Sequence, residues 1–184
     1  YNGLIMNLKI RLTLFSTLVF TIIFGLATLV IYWIFYNSSE RHLISSLEKN
    51  AKIAGIYYLE ADEQSPLKHL ESKNQYESLV KRAMVAVYNA DGKVSYGGMR
   101  FDSQINKDLL RQLKTDKTVY FKTEDSFYFG LYYPDNQGDF FVFVKESSAD
   151  FDHQLNRLLI TLVFVFLVAL ISIALLSVWL SKYA

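Results

Sequence analysis

The sequence predicts an α+β domain, built on a five-stranded antiparallel sheet, held between two membrane-spanning helices. Three observations carry this reading. Two uncharged apolar runs, residues 12–36 and 158–181, bracket a polar middle that contains all 18 acidic residues. Within that middle, apolar residues at helical spacing give way to Val- and Tyr-rich runs separated by turn residues. Cysteine is absent, so the middle must rest on its own core, and a stretch from 37 to 157 is long enough to form one.

The first run is 25 residues and the second 24. A hydrocarbon core of about 30 Å needs roughly 20 apolar residues at about 1.5 Å each, so each run can span. A cleaved signal peptide would have a shorter apolar region, about 7–15 residues, ending in small side chains. Here the run ends in Tyr32, Trp33, Ile34 and Phe35, which predicts a retained anchor. Met6 reads as a natural start preceded by five further residues. Lys9 and Arg11 precede the first run and Lys182 follows the second, so both termini are expected on the cytoplasmic side. The middle carries 16 Lys/Arg against 18 Asp/Glu, with no basic bias to hold it inside. Trp33, Tyr36, Trp179 and Tyr183 sit near the span ends, where interfacial aromatics belong.

After the first span, Ile44, Leu47, Ala51, Ala54 and Tyr58 recur at spacings of 3 and 4, predicting that the helix continues outward to about residue 59. Ser65-Pro66 is a start signal for a helix over 67–82. The period then changes. Strands are expected at 84–88 and 93–96, joined by Asn89-Ala90-Asp91-Gly92, an Asp-Gly hairpin signal. Asp102-Ser103 predicts the cap of a short helix to Leu113, with Ile105, Leu109 and Leu113 on its apolar face. Three further strands fit at 119–122, 127–133 and 139–146, the last two joined by a turn over 134–138. Residues 150–157 then lead directly into the second span.

Several function classes lack any signal. His42, His69 and His153 are isolated, with none in a ligand-spaced pair, and thiolate metal sites are impossible. No nucleotide-binding loop, GxSxG or HExxH occurs, and no basic patch of the nucleic-acid kind. Glu124-Asp125 and Asp135 with Asp139 are acidic positions in turns, but they lack calcium-loop spacing. No catalytic residue and no metal site is predicted. Thr13, Thr17, Thr21, Gly25 and Thr28 form a stripe of small residues on the first span. Such a stripe lets two helices approach closely, so Thr17, Thr21 and Gly25 are candidates for a homodimer contact.

Taken together, the chain resembles the sensory half of a bacterial membrane histidine kinase with an extracytoplasmic PAS-like, or Cache, input domain. Asn7-Leu8-Lys9-Ile10-Arg11-Leu12-Thr13-Leu14 resembles the entry to such a kinase's first span. Val85-Ala86-Val87-Tyr88-Asn89-Ala90-Asp91-Gly92-Lys93-Val94 resembles the strand–turn–strand of the PAS-like sheet. Leu180-Ser181-Lys182-Tyr183-Ala184 resembles the junction where a HAMP relay begins. The resemblance implies residues 1–11 in the cytoplasm, 12–36 as first span, 37–157 as sensor domain, 158–181 as second span and 182–184 as the start of the relay, in a bacterial cytoplasmic membrane. It implies a homodimer in the lipid bilayer, an extracytoplasmic signal and a response regulator as partners, with no nucleic acid. ATP and magnesium would serve a kinase core outside this stretch, which itself needs no cofactor. The aromatic-and-arginine signature by which some Cache domains hold an amino acid is not recognisable.

In PAS-like folds a ligand sits between the sheet and segments such as Tyr96-Gly97-Gly98-Met99-Arg100-Phe101. Arg100 could clamp a carboxylate or phosphate through its planar fork, and Tyr88, Tyr96, Tyr120, Phe129 and Tyr132 could line the pocket. The alternatives are a solvated loop and ordinary aromatic core. The rival outputs are a chemoreceptor or a cyclic-dinucleotide enzyme. A two-helix channel is disfavoured because neither run holds an ionisable residue; a structural membrane protein is the fourth reading.

Overall fold

The computed structural model describes residues 8–61, 65–80, 83–99 and 103–183. The elements follow as α1 (Leu8–Leu59), α2 (Pro66–Leu79), β1 (Ala83–Asn89), β2 (Val94–Gly97), α3 (Lys107–Asp116), β3 (Thr118–Lys122), β4 (Ser126–Asp135), β5 (Gly138–Ser147) and α4 (Ala149–Tyr183). The chain is α+β, with one five-stranded sheet in the order β2-β1-β5-β4-β3, every neighbouring pair antiparallel. Its contacts divide it into two units, residues 1–39 with 151–184, and residues 40–150.

In the first unit α1 and α4 are each long and apolar enough to cross a membrane. Large apolar side chains such as Leu29, Trp33, Phe164 and Leu175 are exposed on them. Several hydroxyls that interrupt the runs are satisfied within their own helix. Thr21 donates to the Thr17 carbonyl at 2.8 Å and Thr28 to that of Phe24 at 2.9 Å. Phe24 stacks on Phe166 at 6.1 Å between centroids, and Tyr36 meets Phe151 edge-on at 5.8 Å.

In the second unit the inner strands β1, β5 and β4 are buried on both faces, and the edge strand β2 is exposed. Side chains alternate across a strand, so β1 turns Val85 and Val87 one way and Ala86 and Tyr88 the other, and all four are buried. Register carries this through the sheet, with Val85 opposite Val144 and Val87 opposite Val142 on one face, and Ala86 opposite Phe143 and Tyr88 opposite Phe141 on the other. The first face packs against α1, whose Leu47, Ala51 and Ala54 are fully buried, as their spacing predicts. The second packs against α3, in a cluster of Ala86, Tyr88, Met99, Ile105, Leu110, Leu113, Phe141 and Phe143.

The hairpin turn forms where predicted. Gly92 has φ +77°, and the Asn89 side chain accepts from the amides of Asp91 and Lys93 at 3.1 and 2.9 Å. Two expectations are corrected. Helix α3 is capped by Asn106, whose side chain accepts from the Leu109 amide at 2.8 Å. It does not begin at Ser103, because the chain must first fold Ile105 into the core, where it is 5% exposed. The turn over 134–138 is tighter than expected, because β4 runs to Asp135 and β5 starts at Gly138. Pro134 is thus a strand residue. β3 pairs with β4 only as far as Leu131, so the missing Pro N–H falls where β4 has no neighbour on that side.

Candidate functional site

Helix α3 positions a cleft. Its apolar side turns Leu110 and Leu113 onto the sheet. The fit is close enough that a Cβ on Gly130 of β4 would lie 2.7 Å from Phe143 and 3.1 Å from Leu113. Its polar side carries Lys107, Arg111 and Lys114, spaced 4 and 3, hence on one stripe. These three, with Asp91 and Gly92 of the hairpin and Asp139 of β5, line a cleft of about 360 Å³ whose floor is Leu110 and Phe141.

At one end of the cleft four side chains form a clasp. Asp139 accepts from Lys114 at 2.5 Å through one oxygen and from the Tyr132 hydroxyl at 2.5 Å through the other. The Lys117 ammonium lies 4.2 Å over the Tyr132 ring, and the Tyr132 amide donates to the Lys117 carbonyl at 2.9 Å. Lys117 itself holds φ +69°, a conformation that costs a non-glycine residue of order 1 kcal/mol or more. The bonds from Lys114 and then Tyr132 hold the Asp139 carboxyl below its ordinary range. The bond to Asp139 raises both Lys114 and Tyr132. Each group is pushed toward the form it already has at neutral pH, which suits ion pairing rather than proton transfer.

On the opposite face the sheet is fastened to α1. Tyr120 of β3 donates to Glu40 at 3.3 Å, and Tyr133 of β4 donates to Glu60, just past the helix end. Between these points lies Gly55, where a Cβ would sit 2.8 Å from the Tyr133 ring. A glycine inside a helix costs about 1 kcal/mol; here it gives the tyrosine ring its seat. Beyond it, Tyr57, Tyr58, Tyr76, Tyr96 and His69 pack together. Tyr57 stacks on Tyr76 at 4.3 Å, Tyr58 on Tyr96 at 5.3 Å and His69 on Tyr57 at 6.0 Å. The Tyr58 and Tyr76 hydroxyls are 2.6 Å apart. Burial, and then that bond, raises the Tyr76 hydroxyl far above its ordinary value.

The residues singled out in the sequence therefore fall into separate places. Tyr88 and Tyr132 lie on the α3 face, Tyr132 in the clasp. Tyr120, Phe129 and Tyr96 belong to the α1 face, where Tyr120 binds Glu40, Phe129 is 4% exposed and Tyr96 joins the tyrosine cluster. Arg100 lies outside the described residues. Thr17, Thr21 and Gly25 share a stripe of α1 in the other unit, and a Cβ on Gly25 would lie 4.0 Å from the Phe166 ring of α4 in the same chain. Among the described residues no three His, Asp or Glu side chains are placed to hold a metal ion. Sequence reasoning missed Lys114, Tyr133, Gly55 and Glu60, and took Asp139 for a turn residue. Lys114 and Asp139 are 25 residues apart, and Tyr133 and Glu60 are 73 apart; no local spacing signals either pair. No protein-family model matches the chain, and no curated protein matches it.

Proposed function

We propose that the chain is the signal-sensing and transmembrane signalling module of a bacterial two-component sensor histidine kinase. One observation carries the reading: both candidate spans are covalently continuous with the sheet domain. Helix α1 holds the first apolar run and the buried Leu47, Ala51 and Ala54 in one uninterrupted element, and α4 begins at Ala149, two positions after β5 ends at Ser147. A change in the domain thus has a short covalent route to each span. The sheet supports the PAS-like identity, since a hairpin and a three-strand meander, separated by a helix, join through their first and last strands. Residues 37–157 would lie outside the cytoplasmic membrane, with both termini inside. The module would act as a homodimer through the stripe Thr17, Thr21 and Gly25. A cytoplasmic kinase core using ATP and magnesium would pass phosphate to a response regulator.

A chimera tests this. Residues 1–184, joined in phase to the HAMP and kinase core of a reporter histidine kinase, should control its autophosphorylation. Gly25→Leu, which enlarges the stripe, should shift basal output about fivefold or more, within the usual range of coupling between sites. Output that equals that of the kinase core alone and is indifferent to Gly25→Leu contradicts the proposal.

A further inference from the structure

We propose that the β4–β5 hairpin is a two-sided relay, coupling the α3 cleft on one face of the sheet to helix α1 on the other. Adjacent residues of one strand carry it. Tyr132 points to the α3 face and binds Asp139; Tyr133 points to the α1 face, binds Glu60 and covers Gly55. Neighbouring residues in a strand share a backbone but face opposite sides, so neither tyrosine can shift far without moving the other. The hairpin is closed tightly, with Tyr132 opposite Phe141, Tyr133 opposite Phe140 and Asp135 opposite Gly138, and it moves as one piece.

Each end of the relay is anchored more than once. On the cleft side Tyr132 is held by Asp139, by the Lys117 ammonium over its ring and by the Lys117 carbonyl. Asp139 is held in turn by Lys114 of α3. On the other side the absence of a Cβ at Gly55 lets the Tyr133 ring sit against the helix axis, while its hydroxyl reaches the carboxylate of Glu60. A ring seated in a gap and tied at its tip fixes both the rotation and the axial position of α1 relative to β4. Anything that enters the cleft and draws Lys114 or Asp139 from the clasp therefore pulls on α1, the helix that also contains the first apolar run. This inference concerns residues 40–150 alone. It does not depend on the kinase reading, and its test does not pass through kinase output.

Hydrogen exchange on the full chain in nanodiscs distinguishes a relay from two unconnected contacts. Asp139→Asn removes the charge that holds Lys114 and one of the two acceptor oxygens, and so weakens the clasp without touching α1. It should raise exchange about tenfold at the α3 amides and also at the α1 amides of residues 54–59. Glu60→Gln weakens the far anchor, and by reciprocity should raise exchange in α3 as well as at the end of α1. Lys122→Gln removes a cation 4.9 Å over the Phe127 ring, away from the hairpin tip, and should change neither. Protection of the β1 amides reports that each variant is folded. If Asp139→Asn loosens α3 but leaves residues 54–59 unchanged in a folded protein, or if the double variant is strictly additive, there is no relay.

Discussion

The two faces of the sheet are both filled with apolar side chains but are closed by their helices in different ways. The α3 face is an apolar cluster closed by a short helix with its own cap, so its stability comes from volume filled by Leu110, Leu113, Phe141 and Phe143. The α1 face fills volume too, with Leu47, Val85, Val87, Val142 and Val144 buried, and is fastened besides by tyrosine hydroxyls on glutamates, Tyr120 on Glu40 and Tyr133 on Glu60. Small residues let α1 approach closely, with Ala51, Ala54 and Gly55 buried under the sheet. A volume-filled face resists loss of atoms. At Gly55 on one face and Gly130 on the other, close approach resists their addition.

Paired substitutions break the comparison most strongly. Leu113 is fully buried, so Leu113→Ala should cost about 2–5 kcal/mol by opening a cavity. Gly55→Leu should cost about 1–3 kcal/mol by overpacking against the Tyr133 ring, partly offset by up to ~1 kcal/mol of helix propensity. Urea titrations followed by near-ultraviolet circular dichroism of the tyrosines would measure both. Gly55→Ala and Gly55→Leu both leaving stability unchanged would mean that α1 does not approach the sheet as closely as described.

The smallest effect concerns pH. The Asp139 carboxyl lies below its ordinary 3.8, so its contribution to the clasp is complete above that value and is lost as pH falls through the lowered folded value. Lys114 is raised above its ordinary 10.5, so its contribution is complete below that and is lost as pH rises through the raised value. After correction for intrinsic exchange rates, protection of the α3 amides should be flat across the neutral range and fall at both extremes. Because both groups are at the surface, the change should be slight. A step near neutrality would show that another group governs the clasp.

Much of this architecture is legible in the chain because its signals are local. The 25- and 24-residue uncharged runs, the spacing of Leu47, Ala51 and Ala54, and the Asp91-Gly92 turn each fix an element through neighbours in sequence. The start of α3 was misjudged because Ser103 and Asn106 are both good caps, and the choice between them is made by the distant core that receives Ile105. The clasp and the α1 seat were illegible for the same reason. Lys114 meets Asp139, and Tyr133 meets Gly55 and Glu60, only once the sheet order β2-β1-β5-β4-β3 has brought the β4–β5 hairpin between two helices. The candidate pocket was blurred by alternation within the strands. Tyr88, Tyr96, Tyr120, Phe129 and Tyr132 look alike as aromatic strand residues, yet register sends them to opposite faces.

The central claim, that the sheet domain and the chain termini lie on opposite sides of a membrane, has a direct test in paired topology reporters. One is inserted at Gly92 in the exposed β1–β2 turn, the other fused after residue 184, each as an alkaline phosphatase and as a fluorescent protein. The account predicts phosphatase activity only at Gly92 and fluorescence only after residue 184. Fluorescence at Gly92 would put the domain in the cytoplasm and contradict the account.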